Sequence, residues 1–195
     1  MSRLFGALSG VLLLLYPFGV YFGVQIVGPR AIGALLLVLF GVRYYLSKKH
    51  SKSFRSNFFP AAAALGIGFC VLVLAVGQAD LLKYYPVLVN IFFLALFATS
   101  LRHPPPIIER VARIHHPDLP PRGIVHARQV TFVWCGFFVL NGGVALYTAL
   151  FSDMKTWTLY NGFLSYLAMG VLFLLEWLVR RARMAQDKRE AAELC

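Results

Sequence analysis

From Thr131 to Val179 the chain holds two apolar runs joined by one short polar stretch, Ser152-Asp153-Met154-Lys155-Thr156. Each run exceeds the eighteen or so apolar residues that mark a bilayer crossing. A pair of such runs with so short a link reads as a membrane hairpin. Its interior polar residues are few: Asn141, Asn161 and Glu176.

The rest of the chain repeats the theme. Apolar spans are expected at about 4–27, 31–46, 58–77 and 84–101, followed by 129–151 and 157–179 of the hairpin. Gly28-Pro29-Arg30 reads as the tight turn between the first two. Tyr44 and Tyr45, and then Tyr84 and Tyr85, stand at span ends where aromatic rings sit at headgroup level. Ala61 to Ala64 with Gly66 and Gly68 make a smooth face that lets a neighbouring helix come close. The longest polar segment is the loop 102–128. It opens on Pro104 to Pro106, which cannot continue a helix. In it, Ile107, Val111 and Ile114 fall at helical spacing with Ile108 beside them, while Glu109, Arg110 and Arg113 lie elsewhere on the wheel. That pattern predicts a short amphipathic helix lying in the membrane interface. A charged tail, 180–195, ends the chain. The expected fold is an all-α integral membrane bundle of about six transmembrane helices, with the short interfacial helix in the fourth loop.

Composition agrees. The chain is 59% hydrophobic with mean hydropathy +0.69, whereas soluble domains are roughly 45–50% apolar. Net charge is +11. In a soluble chain this would point to nucleic acid, but here the positive-inside rule absorbs it. With both termini in the cytoplasm, sixteen basic residues fall on the cytoplasmic side, and only Arg30, Lys83 and Lys155 fall on the other. No nucleic-acid partner is needed. Cys70 and Cys135 lie in apolar runs and Cys195 is terminal, so neither a disulfide framework nor a zinc pattern is present. No phosphate-binding G-x-x-x-x-G-K-[ST] loop and no protease, kinase or glycosidase motif occurs.

Candidate polar sites are therefore few. Asn90, Asn141 and Asn161 are carboxamides in or near hydrocarbon, where each needs a partner. They serve either as interhelical hydrogen bonds or as the lining of a cavity for a substrate headgroup. Glu176 is the one carboxylate inside a span, a functional candidate by default. It also precedes Arg180 by one turn, the favourable order for an ion pair. His103, His115, His116 and His126 all lie in the loop. Adjacent His115 and His116 point different ways on a helix and cannot chelate together, so no metal site, cofactor or catalytic residue is assigned. The basic cytoplasmic face, with Glu109, Arg110, Arg113, Arg122, Arg128, Arg180 and Arg181, is either a topology signal that attracts anionic lipid or a dock for an acidic soluble partner.

A longer pattern is also present. It comprises Tyr85-Pro86-Val87-Leu88-Val89-Asn90, Pro105-Pro106-Ile107-Ile108-Glu109-Arg110-Val111-Ala112-Arg113 and Pro117-Asp118-Leu119-Pro120-Pro121. It continues with Arg128-Gln129-Val130-Thr131, Trp134, Phe137-Phe138, Asn141, Trp157 and Tyr160-Asn161-Gly162. Over about 84–183 this resembles a family of uncharacterised bacterial inner-membrane proteins, some of them mistakenly named as a DNA gyrase. They are encoded among aryl-polyene pigment genes, beside acyl carrier proteins and ketosynthases. The first three spans match only in hydropathy. That family has no established activity, so the resemblance carries over no catalytic residue. It implies an accessory or scaffold role in a fatty-acid-like pathway, with acidic acyl carrier protein or a ketosynthase as partner alongside membrane lipids. Trp134, Phe137-Phe138, Asn141 and Trp157 also resemble the final spans of the intracellular septation protein A family. The alternatives are a lipid or polyene transporter using the asparagines, and an acyl-modifying membrane enzyme using Glu176 or a loop histidine.

Overall fold

The computed structural model describes residues 16–49, 55–115 and 117–193. Among them all regular structure is helical, with no strand. Helix α1 spans Tyr16–Lys49, α2 Arg55–Val76, α3 Tyr85–Arg102, α4 Ile107–His115, α5 Pro121–Phe151, α6 Met154–Leu159 and α7 Ser165–Glu193. A 3-10 turn, Ala79–Tyr84, leads into α3, and a π turn, Tyr160–Leu164, joins α6 to α7. Among the described residues three segments are long and apolar enough to cross a membrane: Ala79–Arg102, Pro121–Phe151 and Met154–Arg183. Ile26–Val42 and Ala64–Val76 are apolar but shorter. Residues 4–15 of the expected first span, 50–54 of the second loop, His116, and residues 194–195 lie outside the described residues.

Sequence punctuation explains where the helices bend and stop. Gly28 adopts φ 78°, ψ 165°, and Pro29 follows it. Only glycine accepts that conformation without strain, and proline supplies no N–H to carry the ladder through. The two arms of α1 consequently fold back on each other. A Cβ placed on Gly23 would lie 3.2 Å from Ile32 Cδ1, whereas nine residues of straight helix rise about 13 Å. The turn expected at Gly28–Arg30 is therefore present, although the chain stays helical on both sides. Helix α2 ends on Gly77 at φ 71°, with its N–H donating to Val73 O at 2.8 Å. This is the left-handed cap that satisfies an otherwise orphaned carbonyl. Pro86 sits in the first turn of α3, where its missing N–H costs nothing.

The arms of α1 pack on α2, and α3 packs along α5. Phe40 lies over Gly66, so close that a Cβ there would meet its ring at 2.7 Å. Gly68 has open space instead, which makes Gly66 the point of close approach on the small-residue face. Along the α3–α5 seam Phe93 stacks on Phe138 with centroids 5.4 Å apart, and Phe97 meets Trp134 at 6.3 Å. Trp134 also meets Phe173 of α7 at 4.6 Å. Trp157 of α6 is fully buried among Val20, Val73 and Leu82, and so ties the α1–α2 pair to the rest. Helix α5 begins eight residues before the expected 129. Its 31 residues measure about 46 Å, against a hydrocarbon core of about 30 Å. Arg122, His126 and Arg128 end the apolar run but not the helix, so charge marks the membrane boundary and Pro121 marks the helical one.

Helix order sorts the charges. The contacts Asn90–Asn141 and Phe97–Trp134 run antiparallel between α3 and α5. Trp134–Phe173 and Gln129–Arg183 do the same between α5 and α7. Arg102, Arg128, Arg180 and Arg181 therefore share one end of the layer, and all four are exposed. Lys83 and Lys155 share the other end, since Trp157 Nε1 donates to Lys83 O at 3.0 Å. Arg30 joins them, because a Cβ on Gly77 would lie 2.9 Å from its Nε. The basic residues that charge counting assigns to the far side thus gather at one end of the molecule.

Candidate functional site

The asparagines form two neighbouring hydrogen-bonded clusters. Asn141 Nδ2 donates to Asn90 Oδ1 at 3.0 Å, joining α5 to α3. Tyr160 OH donates to Asn141 Oδ1 at 2.9 Å, joining the π turn to α5. Asn90 Nδ2 donates to Pro86 O at 2.8 Å. Two turns further along the same face of α5, Asn161 Nδ2 donates to Thr148 Oγ1 at 3.2 Å and also to Trp157 O at 2.9 Å. All three asparagines are buried. The π turn makes this possible. Its wider coil rotates less from one residue to the next, so successive Tyr160 and Asn161 both reach α5. Gly162 is the next residue, and a Cβ there would stand 2.9 Å from the Phe18 ring, so α1 closes over the cluster. Interhelical bonds of this type contribute about 0.6–2 kcal/mol each. The amide groups spend their hydrogen bonds on each other and on neighbouring side chains and carbonyls, which is the arrangement of a clamp and not of an open polar cavity.

Glu176 does not pair with Arg180, as its one-turn spacing led us to expect. Its Oε1 lies 3.8 Å from His126 Nε2 on α5. That separation is within ion-pair range if the imidazole is protonated, but is beyond a hydrogen bond. Both ring nitrogens of His126 are buried without a hydrogen-bond partner. Sequence reasoning placed His126 in a loop with three other histidines. The missed signal was Pro121, which suits a first helical turn and puts His126 inside the helix. Thr148 was missed as well, although it lies seven residues from Asn141 and so on the same face. Among the described residues no three His, Cys, Asp or Glu come together as a metal site.

The charged loop is folded on itself. Arg110 Nε donates to Pro105 O at 2.5 Å and its Nη2 to His103 O at 3.0 Å. Arg113 binds Glu109 Oε1 through Nε and Nη2, both at 2.8 Å, and its Nη1 donates to Pro117 O at 3.1 Å. Glu109 is only 4% exposed. Ser100 Oγ accepts from the Ile107 N–H at 3.0 Å, which closes the turn between α3 and α4. Three members of the expected docking set, Glu109, Arg110 and Arg113, are thus structural fasteners of the proline turn. Arg122, Arg128, Arg180 and Arg181 remain at the surface, with Arg181 lying 5.3 Å over the Trp177 ring. Beside the turn is an open cleft of about 240 Å³ lined by Leu96, Thr99, Ser100, His103, Ile107 and Arg110.

At the opposite end Asp153 caps α6 by accepting the Thr156 N–H at 3.0 Å. Hydrogen bonds from Thr156 hold its carboxyl below the ordinary aspartate range. Taken together, the described residues are all-helical, with three helices able to cross a membrane, clamped by buried amides and carrying exposed arginines at one end. The chain matches no protein-family model, no curated protein and no solved structure.

Proposed function

We propose that this chain is an accessory protein of the bacterial inner membrane. It forms a six-span bundle with both termini cytoplasmic and docks an acidic soluble partner on its basic end. The resemblance stated above points to an acyl carrier protein of a fatty-acid-like or aryl-polyene pathway, or to the ketosynthase it serves. The observation that carries this reading is the collection of exposed Arg102, Arg128, Arg180 and Arg181 at one end of the α3–α5–α7 layer. Clustered arginines steer and hold acidic proteins. The transport reading draws less support, because the asparagines that would line a path are bonded to each other and to neighbouring groups.

The test is a pull-down from solubilised membranes through a C-terminal tag, read by mass spectrometry. Wild type is compared with the triple variant Arg128→Glu, Arg180→Glu, Arg181→Glu and with Lys155→Glu at the other end. Capture of acyl carrier protein should fall at least tenfold in the triple variant and stay unchanged in Lys155→Glu. Equal capture by all three, or none by wild type, sinks the docking role. Reversing Arg110 or Arg113 is a poor test, because it opens the proline turn.

A further inference from the structure

Helix α4 is built inside out for a soluble protein. Its acidic residue, Glu109, is 4% exposed, while Val111 is 50% and Ile114 is 72% exposed. Val125, on the adjoining first turns of α5, is 57% exposed. On the polar side Glu109 is turned inward and held by Arg113, while Arg110 is tied to Pro105 and His103 of the proline turn. The apolar face is left outward. A nine-residue helix in water would take the opposite orientation, since exposing Val and Ile while burying a carboxylate loses on both counts. The orientation is favourable where the outer medium is hydrocarbon.

Position and charge name that medium. Helix α4 leaves α3 at Arg102 and packs on α5, so it lies at the basic end. Exposed Arg102 and Arg128 lie at the same end, complementary to anionic headgroups. Exposed apolar side chains also run along α5, on which α4 packs, from Val125 through Phe132 at 71% to Leu140 at 73%. We infer that α4 is a monolayer-inserted helix: Val111 and Ile114 enter the outer acyl region of an anionic leaflet, and the Glu109–Arg113 pair faces the bundle. This needs only that α3 and α5 cross a bilayer, and does not depend on the docking reading.

The experiment uses the full chain in nanodiscs of equal phosphatidylglycerol and phosphatidylcholine. Benzoylphenylalanine replaces, one at a time, Val111, Ile114, exposed Asp118 and mid-span Leu140. Each purified variant is irradiated, and adducts are read by intact mass. Lipid adducts at positions 111 and 114, at no less than a third of the yield at position 140, with at least fivefold less at position 118, are expected. Lipid adducts at position 140 but none at 111 and 114 would overturn the inference, as would crosslinks from 111 and 114 to a second protein chain. Elution of each variant at the wild-type volume, together with the adduct at position 140, shows that the bundle is intact.

Discussion

Asn141 does two jobs with one carboxamide, donating to Asn90 and accepting from Tyr160. Asn141→Leu strands the Asn90 carboxamide oxygen and the half-buried Tyr160 hydroxyl, at a cost of about 1–3 kcal/mol. Adding Asn90→Leu removes one of the stranded groups, so the double variant should be less unstable than the sum of the singles. A double-mutant cycle in a detergent unfolding series measures this, with a coupling of about 0.6–2 kcal/mol expected. Zero coupling would mean that the two amides do not meet. Asp153 gives a pH signature. Its carboxylate is stabilised in the fold by Thr156, so its folded pKa lies below the unfolded one. The stabilisation is therefore fully present above the unfolded pKa and is lost as pH falls through the folded value. Asp153→Ala should lower the unfolding temperature at pH 7, and the gap from wild type should close as the pH is taken below the aspartate range. A gap that persists there would rule out the cap as its cause.

At the level of helices, close approach is concentrated at particular contacts. In hydrocarbon, burying leucine against leucine gains little over leucine against lipid, so association depends on packing and hydrogen bonds. Phe40 seated on Gly66 is one such contact, and Phe40 is only 6% exposed. Gly66→Ala should separate α1 from α2 and cost about 1–3 kcal/mol. Phe40→Leu in the same chain should restore much of the loss. Circular dichroism melts of the four proteins in one detergent decide it, and failure of Phe40→Leu to rescue would place the cost elsewhere. Gly66 was legible as part of a small-residue packing face. Which of Gly66 and Gly68 meets a neighbour was not, because that depends on the rotation of α2 about its axis.

Across the whole molecule the two ends differ in charge, and this predicts topology. In a chain with Cys70, Cys135 and Cys195 replaced by serine, single cysteines at Arg102 and Arg181 should react with a membrane-impermeant maleimide from one side of sealed vesicles. Cysteines replacing Arg30 and Lys155 should react only from the other. Labelling of Arg102→Cys and Lys155→Cys from the same side would break the antiparallel layer described above.

Much of this was written in the order of residues. Apolar runs longer than a bilayer is thick allow few states other than helices, and Gly28-Pro29, Gly77 and Pro86 mark bends and ends through backbone chemistry that is local to them. The charge count sorts Arg30, Lys83 and Lys155 from the other basic residues because that rule also acts segment by segment. What depends on distance between segments was not legible. Spacing favoured Arg180 as the partner of Glu176, and the fold brings His126 instead. The three asparagines separated into two clusters because a π turn at Tyr160 sets how the last helix faces α5. Glu109, Arg110 and Arg113 were read as the polar side of a helical wheel, and their partners, Pro105, His103, Pro117 and one another, came together only once the proline turn closed. A side chain's type is a property of the chain, but its partner depends on the rotation and register of helices, which only packing settles.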